Sequence, residues 1–112
     1  MARDVRLTAE FWVQAYLNRL RLADIPVFVV AKGDVTAGAV IVKSATLDGQ
    51  AKAFERRTDM SGARVWMVLA EGDEREVDAA LERQRGFDPD LWILEVEDRD
   101  GRTLLDEDGL RG

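Results

Sequence analysis

The side chains best placed to do chemistry in this chain of 112 residues are four carboxylates near its C-terminal end, Asp88, Asp90, Glu95 and Glu97. Glu95 and Glu97 fall on one face of a strand by two-residue alternation, and Asp88 and Asp90 sit in the turn leading into it. Oxygen clusters of this kind suit Mg²⁺ or Ca²⁺, which take about six or more oxygen ligands. A cation so held could activate water or clamp phosphate oxygens, so one reading is a metal-dependent enzyme acting on a small phosphorylated substrate. The spacing is not that of an EF-hand, because Gly101 follows Asp100 directly and no loop of about twelve residues ends in a bidentate Glu. The competing reading needs no ligand. Asp88 and Asp90 serve as turn formers, and Glu95 and Glu97 form a solvated strand face paired across a hairpin with Arg99 or Arg102. That reading is preferred, and no catalytic residue, metal or cofactor is assigned.

Most other chemistry is excluded by what the chain lacks. It has no cysteine and no histidine, which removes disulfides, thiolate or imidazole zinc sites, thiol nucleophiles and histidine bases. Beyond carboxylates and arginines there remain Lys32, Lys43, Lys52, Tyr16, Ser44 and Ser61. Gly33 and Gly38 lack the following Lys-Ser/Thr and the helix that a phosphate cradle requires. Gly62 precedes a strand, which argues against an acyl-coenzyme A pyrophosphate loop. Arg56, Arg57 and the lysines of the second and third strands read as a solvated edge in preference to a basic patch.

The charge is unevenly placed. Residues 1–70 carry ten basic and seven acidic groups, whereas 71–112 carry six basic and fifteen acidic ones, within a net charge of −6. An acidic half disfavours nucleic acid and anionic membranes, which bind basic surfaces through counterion release. It permits a protein partner or a second copy of the chain. The polar-interrupted N-terminal pattern resembles neither a signal peptide nor a membrane span, so a cytoplasmic protein is expected.

Periodicity and turn chemistry give the elements. Thr8 caps a first helix running to about Leu22, with Leu7 and Trp12 as a staple and Ala9, Val13, Tyr16, Leu17 and Leu20 as its buried stripe. Four strands follow at 26–32, 39–44, 50–57 and 64–70, joined through Gly33-Asp34, Asp48-Gly49 and 59–62. Asp-Gly between strands marks a type I′ hairpin, so the four are expected as an antiparallel meander. The first and fourth, almost continuously apolar, are expected to be covered on both faces, and the third to lie toward an edge. Asp73 caps a second helix that ends at a left-handed Gly86, with Phe87 packing back and Pro89 preventing continuation. Residues 91–97 form the fifth strand, and Asp100-Gly101 turns toward a sixth at 102–105. The expected class is α+β, an antiparallel meander of about four to six strands with an N-terminal helix and one helix between the last strands. Residues 1–112 form one domain, with an ordered core at 6–105 and an acidic tail at 106–112.

One helix face is left over. Phe11, Ala15 and Leu22 project within about 40° of one another and opposite the buried stripe. They either curl under a neighbouring loop or meet a second subunit or another protein. The preferred function is a small protein-binding or self-assembling module.

The segments 11–17 (FWVQAYL), 38–43 (GAVIVK), 47–49 (LDG) and 87–93 (FDPDLWI), with Glu97-Asp98-Arg99, occur in this order along the chain. Together they resemble an alphaproteobacterial family of uncharacterised proteins, the domain of unknown function numbered 1491, over nearly the whole length. The resemblance implies a single domain of bacterial origin and transfers no activity or catalytic residue.

Overall fold

The computed structural model describes residues 8–107 and 109–110. Leu7, the expected staple partner of Trp12, lies outside them.

Helix α1 (Ala9–Leu22) begins where its cap was read: the Thr8 hydroxyl accepts from the Phe11 N–H at 3.2 Å. The amides of Ala9 and Glu10, which have no partner within the helix, donate to the carbonyls of Thr36 and Val35, both at 3.0 Å. The expected stripe is buried, and Trp12 joins it at 4% exposure. Asp24 ends the helix in the left-handed region, φ 58°, which Asp tolerates better than most residues.

Five strands follow in the chain order β1 (Val27–Ala31), β2 (Val40–Ala45), β3 (Gln50–Thr58), β4 (Arg64–Asp73), then helix α2 (Glu74–Phe87) and β5 (Trp92–Glu97). The α+β class is as expected: two helices and a mostly antiparallel sheet with one parallel pair. Its spatial order is β1-β5-β2-β3-β4. The meander holds for β2, β3 and β4. β1 departs from it, because β5 lies between β1 and β2, antiparallel to the first and parallel to the second.

The reason is in the β1–β2 connection, which is too long for a two-residue turn and folds onto the start of β5. Asp34 donates its N–H to the Asp90 carbonyl at 2.9 Å and accepts on its own carbonyl from the Trp92 indole N–H at 2.8 Å.

Strand burial is accordingly redistributed. β2 is buried along its whole length, whereas β1 and β4 are edges with exposed residues, the reverse of the covered positions expected for them. β3 lies one strand in from the β4 edge. On the α1 side, Val40, Val42, Trp92, Leu94 and Val96 pack with Trp12, Val13, Tyr16, Leu17 and Leu20. On the α2 side, Ile41, Ala51, Ala53 and Ile93 pack with Val77 and Leu81. β2 and β5 send alternate side chains into both layers, which is why Val40–Val42 and Trp92–Leu94 are apolar without alternation.

Turn details also differ. At the β2–β3 hairpin the left-handed residues are Leu47 (φ 64°) and Gly49 (φ 87°), so the connection is not a type I′ turn centred on Asp48-Gly49. The Asp48 carboxylate instead accepts from the Thr46 hydroxyl at 2.6 Å and the Gln50 N–H at 3.1 Å. Asp73 caps α2 as expected, accepting from Arg75 N–H at 2.9 Å. The helix runs through Gly86 to an exposed Phe87 and is capped at Asp88, so neither the left-handed glycine nor the packing of Phe87 is realised.

No sixth strand forms at 102–105 among the described residues. The chain turns through Gly101 (φ 73°), and the Asp98 carboxylate takes Arg102's backbone N–H and one guanidinium nitrogen, each at 2.8 Å. The segment read as an acidic tail lies partly against the core, because it carries an apolar residue able to reach it: Leu110 is buried, as is Leu105 just before the segment, and the Leu110 carbonyl accepts from Trp66 Nε1 at 2.9 Å.

The Asp98–Arg102 contact carries a pH dependence. Arg102's guanidinium and backbone N–H hold the Asp98 carboxyl down at about 2. A pKa depressed by folding stabilises the native state above the ordinary carboxyl range, and that stabilisation is lost as pH falls through the depressed value. Unfolding monitored between pH 4 and pH 2 will therefore show a shallower acid loss in Asp98→Asn than in wild type, relative to each protein at neutral pH.

Candidate functional site

Two features stand out on the α2 side of the sheet: a buried lysine and an open edge beside it. Lys43 lies in the central strand β2, between Val42 and Ser44, and is 3% exposed. A lysine inside a continuous apolar run is costly unless its ammonium is paired. Three carboxylates supply the pairing: Glu74 and Asp78 from the first turns of α2, each at 2.7 Å, and Glu95 from β5 at 3.0 Å. Register places Lys43 opposite Glu95, and the i, i+4 spacing of Glu74 and Asp78 stacks them on one helix face. Burial works against the charge, but hydrogen bonds to Asp78, Glu74 and Glu95 outweigh it and raise the lysine pKa. The amine is thus held as an ammonium and is unsuited to nucleophilic or Schiff-base chemistry at neutral pH.

This cluster separates the carboxylates singled out in the sequence. Glu95 is committed to Lys43. Asp90 lies about 16 Å of extended chain away from it, and with Asp88 forms a turn in which the Asp88 carboxylate accepts from the Asp90 N–H at 3.1 Å. Glu97 is half-buried at the strand end. Among the described residues no group of three or more carboxylates is disposed to hold a metal ion. Arg102, expected across a hairpin from Glu95 and Glu97, pairs with Asp98. Lys43 was missed as an ion-pair centre, although its position within an apolar strand was a usable signal. It does not join Lys52 in a basic patch either, since the two side chains point to opposite faces of the sheet.

Phe11, Ala15 and Leu22 are all exposed, Phe11 at 60% and Leu22 at 76%. Phe11 and Leu22 stand about 16 Å apart along the helix axis, so they do not form a continuous apolar surface.

The open edge is more coherent. Beside Lys43 a cleft of about 360 Å³ is bounded by Val30 and Ala31 of β1, Ile93 and Glu95 of β5, and Leu81 and Arg85 of α2. Its outer wall is β1, whose run Phe28, Val29 and Val30 is uncharged and exposed at 52%, 45% and 58%. Among the described residues β1 pairs only with β5. Glu97 donates to the Pro26 carbonyl at 2.9 Å, so Pro26 and Phe28 turn their backbone groups toward β5. By alternation Val27 and Val29 turn theirs outward. Pro26 therefore leaves the outer row of donors intact, because its missing N–H faces inward.

Among the described residues no helix is long and apolar enough to cross a membrane. No curated protein matches the chain. A crystal structure of a DUF1491 family protein from Caulobacter crescentus CB15 is similar at 40% identity and a TM-score of 0.83, covering 91% of this chain and 97% of that one. A solution structure of a protein from A. tumefaciens is similar at 31% identity and a TM-score of 0.69, covering 83% and 86%. Both organisms are alphaproteobacteria, as the resemblance implied. The family profile described as "Protein of unknown function (DUF1491)" matches residues 7–106, and the chain belongs to that family.

Proposed function

We propose that this domain is a protein-binding module that works by strand addition at the outer edge of β1. The observation that carries the reading is an uncharged, half-exposed edge strand whose outward amide and carbonyl groups, at Val27 and Val29, have no partner among the described residues. Such an edge is a template for another strand, and soluble proteins ordinarily blunt it with charge, proline or a covering element. The three-carboxylate pairing of Lys43 speaks for a structural role of that cluster and against lysine chemistry.

The test uses Val29→Pro. It removes one outward N–H and leaves the ladder to β5 unbroken, because the Val29 amide faces away from that strand. Capture with wild type and Val29→Pro as paired baits should recover a protein with the first alone, and that protein should bind purified wild type in saturable fashion. The reading fails if neither self-association nor binding of any recovered protein responds to Val29→Pro in a domain whose circular dichroism is unchanged.

A further inference from the structure

Resting on that reading, we infer that the strand accepted by β1 is the β1 of a second copy, paired antiparallel about a twofold axis at Phe28 to give a continuous ten-stranded sheet. Three observations select this occupant and this register. The first is hydrogen-bond parity. Two antiparallel edges can pair only residues whose backbone groups both point outward, and in β1 those are Val27 and Val29. Centring the pair on Phe28 sets Val27 of one copy against Val29 of the other, twice. It uses only residues before the irregularity between Val29 and Ala31, whereas centring on Val29 would run into it.

The second observation is side-chain fit. Phe28 becomes a non-hydrogen-bonded pair with itself, the arrangement that brings cross-strand side chains closest. Phe28 shares the sheet face of Glu95, the α2 side. Helix α2 runs from β3 and β4 across the sheet to the C-terminal end of β1, where Leu81 and Arg85 reach Ala31 and Lys32; Phe28, three residues before Ala31, remains 52% exposed and open to its counterpart.

The third is charge. Asp24 and Lys32 flank β1, both are exposed, and neither takes part in an ion pair among the described residues. They lie beyond opposite ends of β1, so antiparallel pairing about Phe28 brings the Lys32 end of each copy to the Asp24 end of the other. The other edge, β4, fails this criterion. Its pairing with β3 shifts register between Val68 and Ala70, so the backbone alternation is broken between its flanking charges, Arg64 and Glu71. Glu71 is also already engaged with Lys52 at 3.6 Å.

Sedimentation equilibrium across the micromolar to millimolar range tests the inference. Wild type should be a dimer at the upper concentrations, and Val29→Pro and Phe28→Lys should be monomers with unchanged circular dichroism. Lys32→Asp and Asp24→Lys, each alone, turn both flanking pairs repulsive and should weaken the dimer about tenfold. An equimolar mixture of these two variants restores opposite charges at both pairs and should dimerise like wild type. A monomer at every concentration overturns the inference, and so does a dimer indifferent to Val29→Pro. If wild type stays monomeric yet binds another protein in a manner lost in Val29→Pro, the second copy is excluded as occupant while the binding-module reading stands.

Discussion

Lys43→Met is expected to destabilise the domain by about 3 kcal/mol, measured by urea denaturation at neutral pH, since breaking a buried pair leaves its partners uncompensated. The methionine fills the space of the lysine stem. The loss comes from Glu74, Asp78 and Glu95, left as three anions around an apolar group. They retain partial solvent access, which keeps the cost toward the low end for a broken buried pair. Adding Glu74→Gln, Asp78→Asn and Glu95→Gln in the Lys43→Met background should therefore recover much of the loss. If Lys43→Met alone is neutral, the cluster holds nothing together.

The sign of the pH effect is opposite to that of Asp98. A lysine pKa raised by folding stabilises the native state fully below the ordinary lysine value, about 10.4, and the contribution is lost as pH climbs through the raised one. Wild type should lose stability above that point more steeply than Lys43→Met does. Amine acylation near neutral pH, followed by mass spectrometry, should modify the exposed Lys32 and Lys52 and spare Lys43.

Gly33→Ala carries the second large effect. A β-carbon at Gly33 would stand 2.1 Å from the Asp90 carbonyl oxygen and 2.6 Å from the Trp92 ring, and one at Gly38 would stand 2.4 Å from the same oxygen. The chief obstacle is backbone at the head of β5, which cannot swing aside like a flexible side chain. Overpacking of this kind costs about 3 kcal/mol, and here the strain acts on the hydrogen bonds that seat the connection against β5. Gly33→Ala should lower the urea midpoint strongly. Gly86→Ala is the internal control: its added methyl meets nothing and it sits within a helix, so a neutral or slightly stabilising result is expected. Equal effects for the two would remove the close approach as the reason for glycine at position 33.

These two sites show what the sequence made legible and what it did not. The helix caps at Thr8 and Asp73, the buried stripe of α1 and the positions of all five strands follow from local rules whose partners lie within a few residues. The strand order does not, because the insertion of β5 is decided by contacts between residues about fifty to sixty apart in sequence, such as Asp34 with Asp90 and Trp92. Gly33 and Gly38 stood out in the sequence for a phosphate loop they could not form. Their actual reason, close approach to a distant carbonyl, leaves no local signature. Edge strands were misjudged for a related cause: VFVVA in β1 reads like a strand covered on both faces, and only the sheet order shows that its outer edge has no partner strand in the described chain. Asp88, Asp90, Glu95 and Glu97 looked like a cluster because sequence proximity was taken for spatial proximity, which an extended strand defeats.

The position of β5 also governs how the molecule can be made. On a ribosome β1 emerges first among the described strands, yet its one neighbour among them, β5, is made last of the five, after sixty-six further residues from Ala31 to Glu97. At about 5–20 residues per second the nascent chain carries Phe28, Val29 and Val30 unpaired on both sides for on the order of 3–13 s. Until Trp92–Glu97 clears the exit tunnel, the β2–β3–β4 meander and α2 have their partners at hand while β1 does not, so β1 joins the sheet only once β5 has emerged.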